Sequence, residues 1–234
     1  MPSWKQKYLS FKQNKAPQVP SAANKTNKQS QQPLDSDLNS NIQSILQVFR
    51  EDTDLTVRSF RMYGLYDAAI LFFSSLVDQD QVHEHMLKPL MSTPSDVSAI
   101  PEQHEALADY IWNMTVQLAS GNRTSNLIAL PGYLLEGNVI LLVQGMEQAL
   151  YFNLRKIEHR SIEPPQTEQN IRGSREGFIE NLEANLSLLR YRLQTPDFRV
   201  TTAPLGARTR SKVAVCYIEG IVDSELVEKV WILY

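Results

Sequence analysis

Cysteine is nearly absent from this chain. Cys216 is the only one among 234 residues, which excludes an intrachain disulfide framework and any multi-cysteine metal site. Long apolar runs are missing too. The longest, residues 68–73, has six residues, whereas a membrane-spanning helix needs about 20. No such helix is expected here. The first residues, Met-Pro-Ser-Trp-Lys-Gln-Lys, hold no apolar stretch, so no secretory signal peptide is expected. The sequons at Asn113, Asn122 and Asn185 then carry no meaning, and a reducing, cytoplasmic-side location is expected.

The usual signatures of chemistry are missing as well. No G-x-S-x-G, P-loop or G-x-G-x-x-G occurs. His83 and His85 are the only close histidine pair. On a helix, positions i and i+2 lie about 200° apart, so they cannot chelate one ion; a solvated face is the plainer reading. Cys216 lies between Val215 and Tyr217 in an apolar run. That is a packing position, not the helix N-terminus or cationic setting a catalytic thiolate prefers. No catalytic residue, metal or cofactor is expected, and the chain reads as no enzyme.

What is present is an ordinary globular composition, 42% hydrophobic and 21% charged, enough to bury a core. The net charge of −3 hides an asymmetry. Residues 1–40 carry six lysines and two aspartates; residues 41–136 carry five basic and twelve acidic groups; residues 137–234 carry twelve of each. Residues 1–36 are dominated by Lys, Gln, Asn, Ser and Pro. They have too little apolar area to offset the entropy of ordering them, and they read as a disordered basic tail. Trp4, Tyr8 and Phe11 interleave with Lys5, Lys7 and Lys12. Two readings stand: a solvated linker, or a segment attracted to an anionic surface.

The periodicity predicts a helix from Leu38 capped within Asp35-Ser36-Asp37, a strand over Leu55–Met62, and a longer strand over 66–77 buried on both faces. Asp78 caps a predicted helix over 79–91. Residues 102–118 fit a helix or, in part, a strand. A short helix is predicted over 124–135 despite Pro131 and Gly132, and a hairpin over 139–144 and 148–154. Residues 160–173 read as a loop and domain boundary. Ser174 is predicted to cap a helix with Phe178, Leu182, Leu186, Leu189 and Leu193 on one stripe. Strands over 198–203 and 212–219 follow, then a helix capped by Asp223 in which Leu226, Val227, Val230 and Trp231 pack.

Two patterns run across these elements. The chain ends at Tyr234 inside an amphipathic pattern, as a piece of a longer polypeptide would. There is also an internal echo. Asp54-Leu55-Thr56-Val57 resembles Asp197-Phe198-Arg199-Val200, and Leu76-Val77-Asp78 resembles Ile221-Val222-Asp223. Either two related α/β units lie side by side, or two strand–helix units are alike by chance.

The richest polar stretch is residues 163–177. It runs into a predicted helix N-terminus, where backbone N–H groups favour anions. Glu163, Gln166, Thr167, Glu168, Arg172, Gly173, Arg175 and Glu176 are ligand or interface candidates there, with Arg190 added from the helix that follows. The plainer alternative is a structural knot, in which arginines and carboxylates pair to fix the loop across two subdomains. Arg190, Arg192, Arg199, Arg208 and Arg210 form a basic set, but only Tyr191 and Phe198 lie close for stacking. Nucleic acid is not expected as a partner.

The same stretch carries a family likeness. Glu163-Pro164-Pro165-Gln166-Thr167-Glu168, then Ile171-Arg172-Gly173-Ser174-Arg175-Glu176-Gly177-Phe178, then Asn181-Leu182 and Asn185-Leu186, resembles the A subunit of bacterial spore germinant receptors, the GerA family. Residues 134–142 and 212–223 fit the same family, with Val215-Cys216-Tyr217-Ile218-Glu219-Gly220-Ile221 central to the latter. The likeness is continuous from about residue 130 onward. Pro165 and Ser174 depart from the expected pattern. The resemblance implies a soluble N-terminal region followed by transmembrane helices outside this chain. It implies a complex with a permease-like B subunit and a lipoprotein C subunit in the spore inner membrane, this domain facing the spore core. It also implies a nutrient response that triggers germination.

The expectation is therefore an α/β fold of two small mixed-sheet subdomains side by side after a disordered N-terminal tail: residues 1–36 as tail, 37–160 and 161–234 as subdomains. The expected function is signal relay or receptor assembly. The alternative is direct capture of a small-molecule germinant in a cleft between the subdomains, which a cavity of about 300 Å³ or more at their junction would favour.

Overall fold

Asp37 starts the first helix. Its side chain accepts the backbone N–H of Ser40 at 2.9 Å, satisfying one of the donors that a helix start leaves free. Helix α1 then runs Leu38–Phe49 and buries Leu38, Ile42, Ile45 and Phe49, an i, i+4, i+7, i+11 stripe. The computed structural model describes residues 32–50, 52–94, 100–101, 103–116, 118, 120–156 and 177–233. The chain divides into Met1–Ser30 and Gln31–Tyr234, and everything described lies in the second.

Strands β1 (Leu55–Met62) and β2 (Tyr66–Phe73) form an antiparallel hairpin from Leu55 opposite Phe73 to Met62 opposite Tyr66. β2 is buried from Ala68 to Phe73, as its lack of polar alternation predicts. It stops at Phe73, short of the predicted Val77, which instead makes an isolated bridge to Arg155. Asp78 caps the next helical run, α2. This is α-helical over Gln79–Val82, widens to π geometry over His83–Leu87, and returns to α over Lys88–Met91. Within the ambiguous stretch 102–118, residues 104–115 are helical: α3 covers His104–Tyr110 and passes into a π segment, Ile111–Thr115.

Strand β3 (Gly121–Thr124) has no counterpart in the sequence reading. The predicted helix over 124–135 begins later, as a 3₁₀ turn over Leu127–Ala129 followed by α4 (Leu130–Leu135). Pro131 falls in the first turn of α4, where its missing N–H costs no hydrogen bond. Strands β4 (Asn138–Val143) and β5 (Ala149–Asn153) form the predicted hairpin. The five-stranded sheet has the order β1-β2-β4-β5-β3, antiparallel at every pairing. One large hydrophobic cluster, with buried members from Leu34 to Leu154, packs on it.

The helix predicted from Ser174 is shorter than expected. Helix α5 is Leu182–Arg192, capped by Asn181, whose side chain accepts the N–H of Ala184 at 3.1 Å. Phe178, the predicted first member of its stripe, is 67% exposed. Strands β6 (Phe198–Leu205) and β7 (Ser211–Ile218) pair antiparallel as a separate hairpin. Leu186, Phe198 and Val200 are its buried core, with Leu182, Leu189, Leu193, Ala214, Cys216 and Ile218 packed against them. Helix α6 (Ser224–Leu233) closes the described chain, but Leu226 is 56% exposed, contrary to the expectation that it packs.

The internal echo extends to hydrogen bonds. Both units read helix, hairpin, helix. Residues 50–54 separate α1 from β1, and residues 193–197 separate α5 from β6. The carbonyl of Asp54 accepts from Ser74 N at 2.9 Å, and that of Asp197 accepts from Glu219 N at 2.8 Å. Each closes its hairpin. Asp78 Oδ1 accepts from Asp80 N at 3.1 Å, and Asp223 Oδ1 from Glu225 N at 3.0 Å.

Candidate functional site

Arg190 should be a surface residue by type, since arginine is almost never fully buried unless paired. Here its side chain is 0% exposed. The geometry of α5 forces this. Arg190 lies four residues after the buried Leu186, so it shares the face that meets the hairpin. Its partners come from residues 50–54, between α1 and β1. Nε donates to Asp54 Oδ2 at 2.6 Å, and Nη2 donates to both oxygens of Asp52 at 2.7 Å. The guanidinium carbon stands 4.0 Å from the Phe73 ring centroid and 5.4 Å from that of Phe198. Nη1 finds no hydrogen-bond acceptor among the described residues; the adjacent Phe73 face offsets part of that loss.

The two aspartates are themselves held. Asp54 Oδ1 accepts from Ser75 N at 3.0 Å and Oδ2 from Ser75 Oγ at 2.6 Å. Asp52 Oδ1 accepts from Asp54 N at 3.0 Å. Two carboxylates therefore share one guanidinium. Burial pushes the Asp52 carboxyl above the ordinary range, while the charge and hydrogen bonds of Arg190 pull the other way. Cys216, half-buried on β7 opposite Val200, has its thiol pushed up mainly by burial. It is not an activated nucleophile.

A partly exposed border surrounds the triad. Thr53 N donates to Val200 O at 2.9 Å, and Thr202 N donates to Thr53 Oγ1 at 3.0 Å. Arg199 Nε donates to Glu219 Oε2 at 2.8 Å, and Nη2 donates to the Val48 carbonyl at 3.1 Å. Arg50 pairs with the other Glu219 oxygen. The hydrogen bond from Arg199 is the main reason the Glu219 carboxyl lies below its usual range. All these groups hold the α5–β6–β7 hairpin unit against the turn before β1.

Of the sequence-predicted site residues, the structure places Arg190 in this junction. Glu163, Gln166, Thr167, Glu168, Arg172, Gly173, Arg175 and Glu176 lie outside the described residues. The polar knot expected over residues 163–177 thus falls outside the described residues apart from Gly177; among the described residues Arg190 pairs with Asp52 and Asp54, which sequence reasoning passed over. The available signal was the spacing of Arg190 from Leu186. Nothing in Asp52-Thr53-Asp54 marks two aspartates as buried. His83 and His85 are exposed, and no cluster of three metal-binding side chains occurs among the described residues. One cavity of about 340 Å³ opens at the start of α1, lined by Gln32, Asp35, Ser40, Asn41, Ser44 and Glu147 among others. No residue of α5, β6 or β7 lines it.

A family model described as Bacillus/Clostridium GerA spore germination protein matches residues 43–231. The chain belongs to the GerA spore germination protein family. Among the relatives of this GerA-family chain is the spore germination protein KA of Bacillus subtilis (strain 168), 30% identical over 162 residues, which are 69% of this chain and 29% of that protein. The spore germination protein GerLA of Bacillus cereus is 26% identical over 82% of this chain and 39% of its own length. The uncharacterized membrane protein YfkQ of Bacillus subtilis (strain 168) is 28% identical over 84% of this chain and 37% of its own. The chain thus spans less than two-fifths of these relatives. Its fold is that of the crystal structure of the N-terminal domain of the A subunit of the Bacillus megaterium spore germinant receptor GerK3. The TM-score is 0.64 at 21% identity, covering 86% of this chain and 72% of that one. The mixed α/β class expected from the sequence agrees with this match. No helix among the described residues is long and apolar enough to cross a membrane.

Proposed function

We propose that this GerA-family chain is the N-terminal, non-enzymatic domain of a nutrient germinant receptor A subunit, acting in signal relay and receptor assembly. The full protein would sit in the spore inner membrane through helices outside this chain. This domain would face the spore core and meet the B and C subunits. The observation that carries the relay reading is the junction. A bilobed binding protein keeps an open, aromatic-lined cleft between its lobes. Here the described junction is filled by a guanidinium and two carboxylates with side chains 0–6% exposed. A filled polar junction suits transmission of a mechanical change between units better than capture of a nutrient.

The test is a titration of the purified domain with amino acids, sugars and nucleosides, read by amide NMR shifts. A flat response at millimolar ligand supports relay and assembly. Saturable shifts clustered over residues 160–177 or around Arg190 would replace this reading with direct germinant binding. Reversing the charge of Arg172 or Arg175 in the full-length protein should abolish germination signalling without loss of membrane insertion. Normal germination of such spores would remove the 163–176 stretch from the signal path.

A further inference from the structure

We infer that Arg190 is a latch: one buried guanidinium holds the α5–β6–β7 unit onto Asp52 and Asp54, and when it lets go the unit detaches and loses its order locally while the five-stranded sheet stays folded. The first support is the division of the core. The two hydrophobic clusters share no residue: one has its buried members between Leu34 and Leu154, the other consists of Leu186, Phe198 and Val200. Among the described residues, apolar packing therefore does not run continuously from one unit into the other. What joins them is mostly polar, and Arg190 stands at the crossing. It reaches Asp52 and Asp54 on one side and lies between Phe73 of the large cluster and Phe198 of the small one.

The second support is the ranking of the joining contacts. The Arg50–Glu219 pair crosses the junction with side chains 66% and 31% exposed, while Arg199, 6% exposed, crosses only by its hydrogen bond to the Val48 carbonyl, its ion pair with Glu219 lying within the small unit. Ion pairs open to water contribute little. The Arg190 pairs are desolvated, and removing one partner of such a pair strands the other charge in the interior. The third support is the weakness of the detached unit. A two-stranded hairpin with three buried apolar residues is marginal alone, so its opening requires less free energy than unfolding the sheet. That makes it a two-state element that a partner or membrane-borne strain can bias. The latch deepens the relay reading and rests on it only for the consequence in signalling.

Hydrogen exchange read by mass spectrometry on the whole chain tests this, comparing the parent with Arg190→Met and Arg190→Lys. In Arg190→Met, amides over residues 182–218 should exchange at least about a hundredfold faster, while those of β2 and β4 keep parental rates. Arg190→Lys keeps the charge but loses the fork that spans two carboxylates, so it should show a smaller acceleration confined to the same residues. Uniform acceleration that includes β2 and β4, or no acceleration at all, would overturn the latch. If Arg190→Met fails to fold, Arg190→Lys decides by the same criterion. Selective acceleration in Arg190→Lys together with normal germination of spores carrying it in the full-length protein would keep the latch and remove its role in the relay.

Discussion

At the scale of single residues, the junction has a definite pH signature. Asp52 is raised above its ordinary value of 3.8 because burial outweighs the pull of Arg190. An acid raised in the folded state binds its proton more tightly there than in the unfolded chain. Its contribution to stability is full below the ordinary value and is lost as pH rises through the raised one. Glu219 has the opposite sign, lowered chiefly by its hydrogen bond from Arg199. Its contribution is present above its ordinary value and lost as pH falls. Asp52→Asn removes the titration of Asp52 and leaves that of Glu219 in place. The stability of the variant minus that of the parent, from urea unfolding at about pH 3.5 to 7, should therefore rise with pH, since the Glu219 contribution cancels. A difference that falls with pH would mean that Arg190, not burial, governs Asp52.

Gly121 makes a second residue-scale case. A Cβ at this position would lie 2.5 Å from the Tyr151 carbonyl oxygen and 2.9 Å from the Trp112 ring. Trp112 stacks on Phe152, with centroids 5.3 Å apart. The carbonyl belongs to the sheet backbone and cannot yield cheaply. Gly121→Ala should destabilise the chain by about 1–3 kcal/mol and shift the Trp112 fluorescence. The smaller backbone entropy of alanine would by itself act the other way, so a stabilised variant would show that β3 gives way instead.

Elements with one dominant physical cause were legible in the sequence. β1 has the predicted bounds, and β2 shows the burial on both faces that its unbroken apolar run implies. Asp37, Asp78 and Asp223 all act at helix starts, because a short acid before an apolar stripe has one favourable use. Asp78→Ala should cost about 1 kcal/mol in thermal or urea unfolding, since Asp78 accepts from two backbone donors, Asp80 N and Gln81 N. β3 was not legible: Gly121-Asn122-Arg123-Thr124 is polar, and an edge strand is defined by its neighbour β5 rather than by its own composition. The start of α5 was misplaced because Phe178 continues the leucine spacing, yet Asn181 supplies the cap. Arg190 was singled out by its charge and its neighbourhood, but its partners were not legible, because they lie 136 and 138 residues away. A sequence pattern fixes which face of α5 points inward; it does not show that two aspartates wait there.

On the scale of the whole molecule, the division into a large and a small hydrophobic cluster sets how the chain comes apart. Each cluster carries its own reporter. Trp112 packs against the large cluster and is its fluorescent reporter once Trp4 and Trp231 are replaced by phenylalanine; Cys216, the only cysteine, packs against the small one. Small domains usually unfold in one step when their parts are tightly coupled. In the parent, the coupling is the Arg190 triad, so loss of tryptophan fluorescence and exposure of Cys216 to an alkylating reagent should share one urea midpoint. Breaking a buried pair costs about 3–5 kcal/mol, and urea slopes are about 1–3 kcal/mol per molar. Arg190→Met should therefore move the Cys216 midpoint down by about 1–5 M while the fluorescence midpoint of the large cluster stays near its parental value. The thiol is raised by burial in the folded chain, so its reaction at fixed pH reports opening rather than an activated sulfur. Midpoints that fall together in the variant would mean that the two clusters form one cooperative core, with Arg190 as an ordinary part of it. Separate midpoints would make the hairpin unit an element that the triad holds in place, as a relay that switches between two states requires.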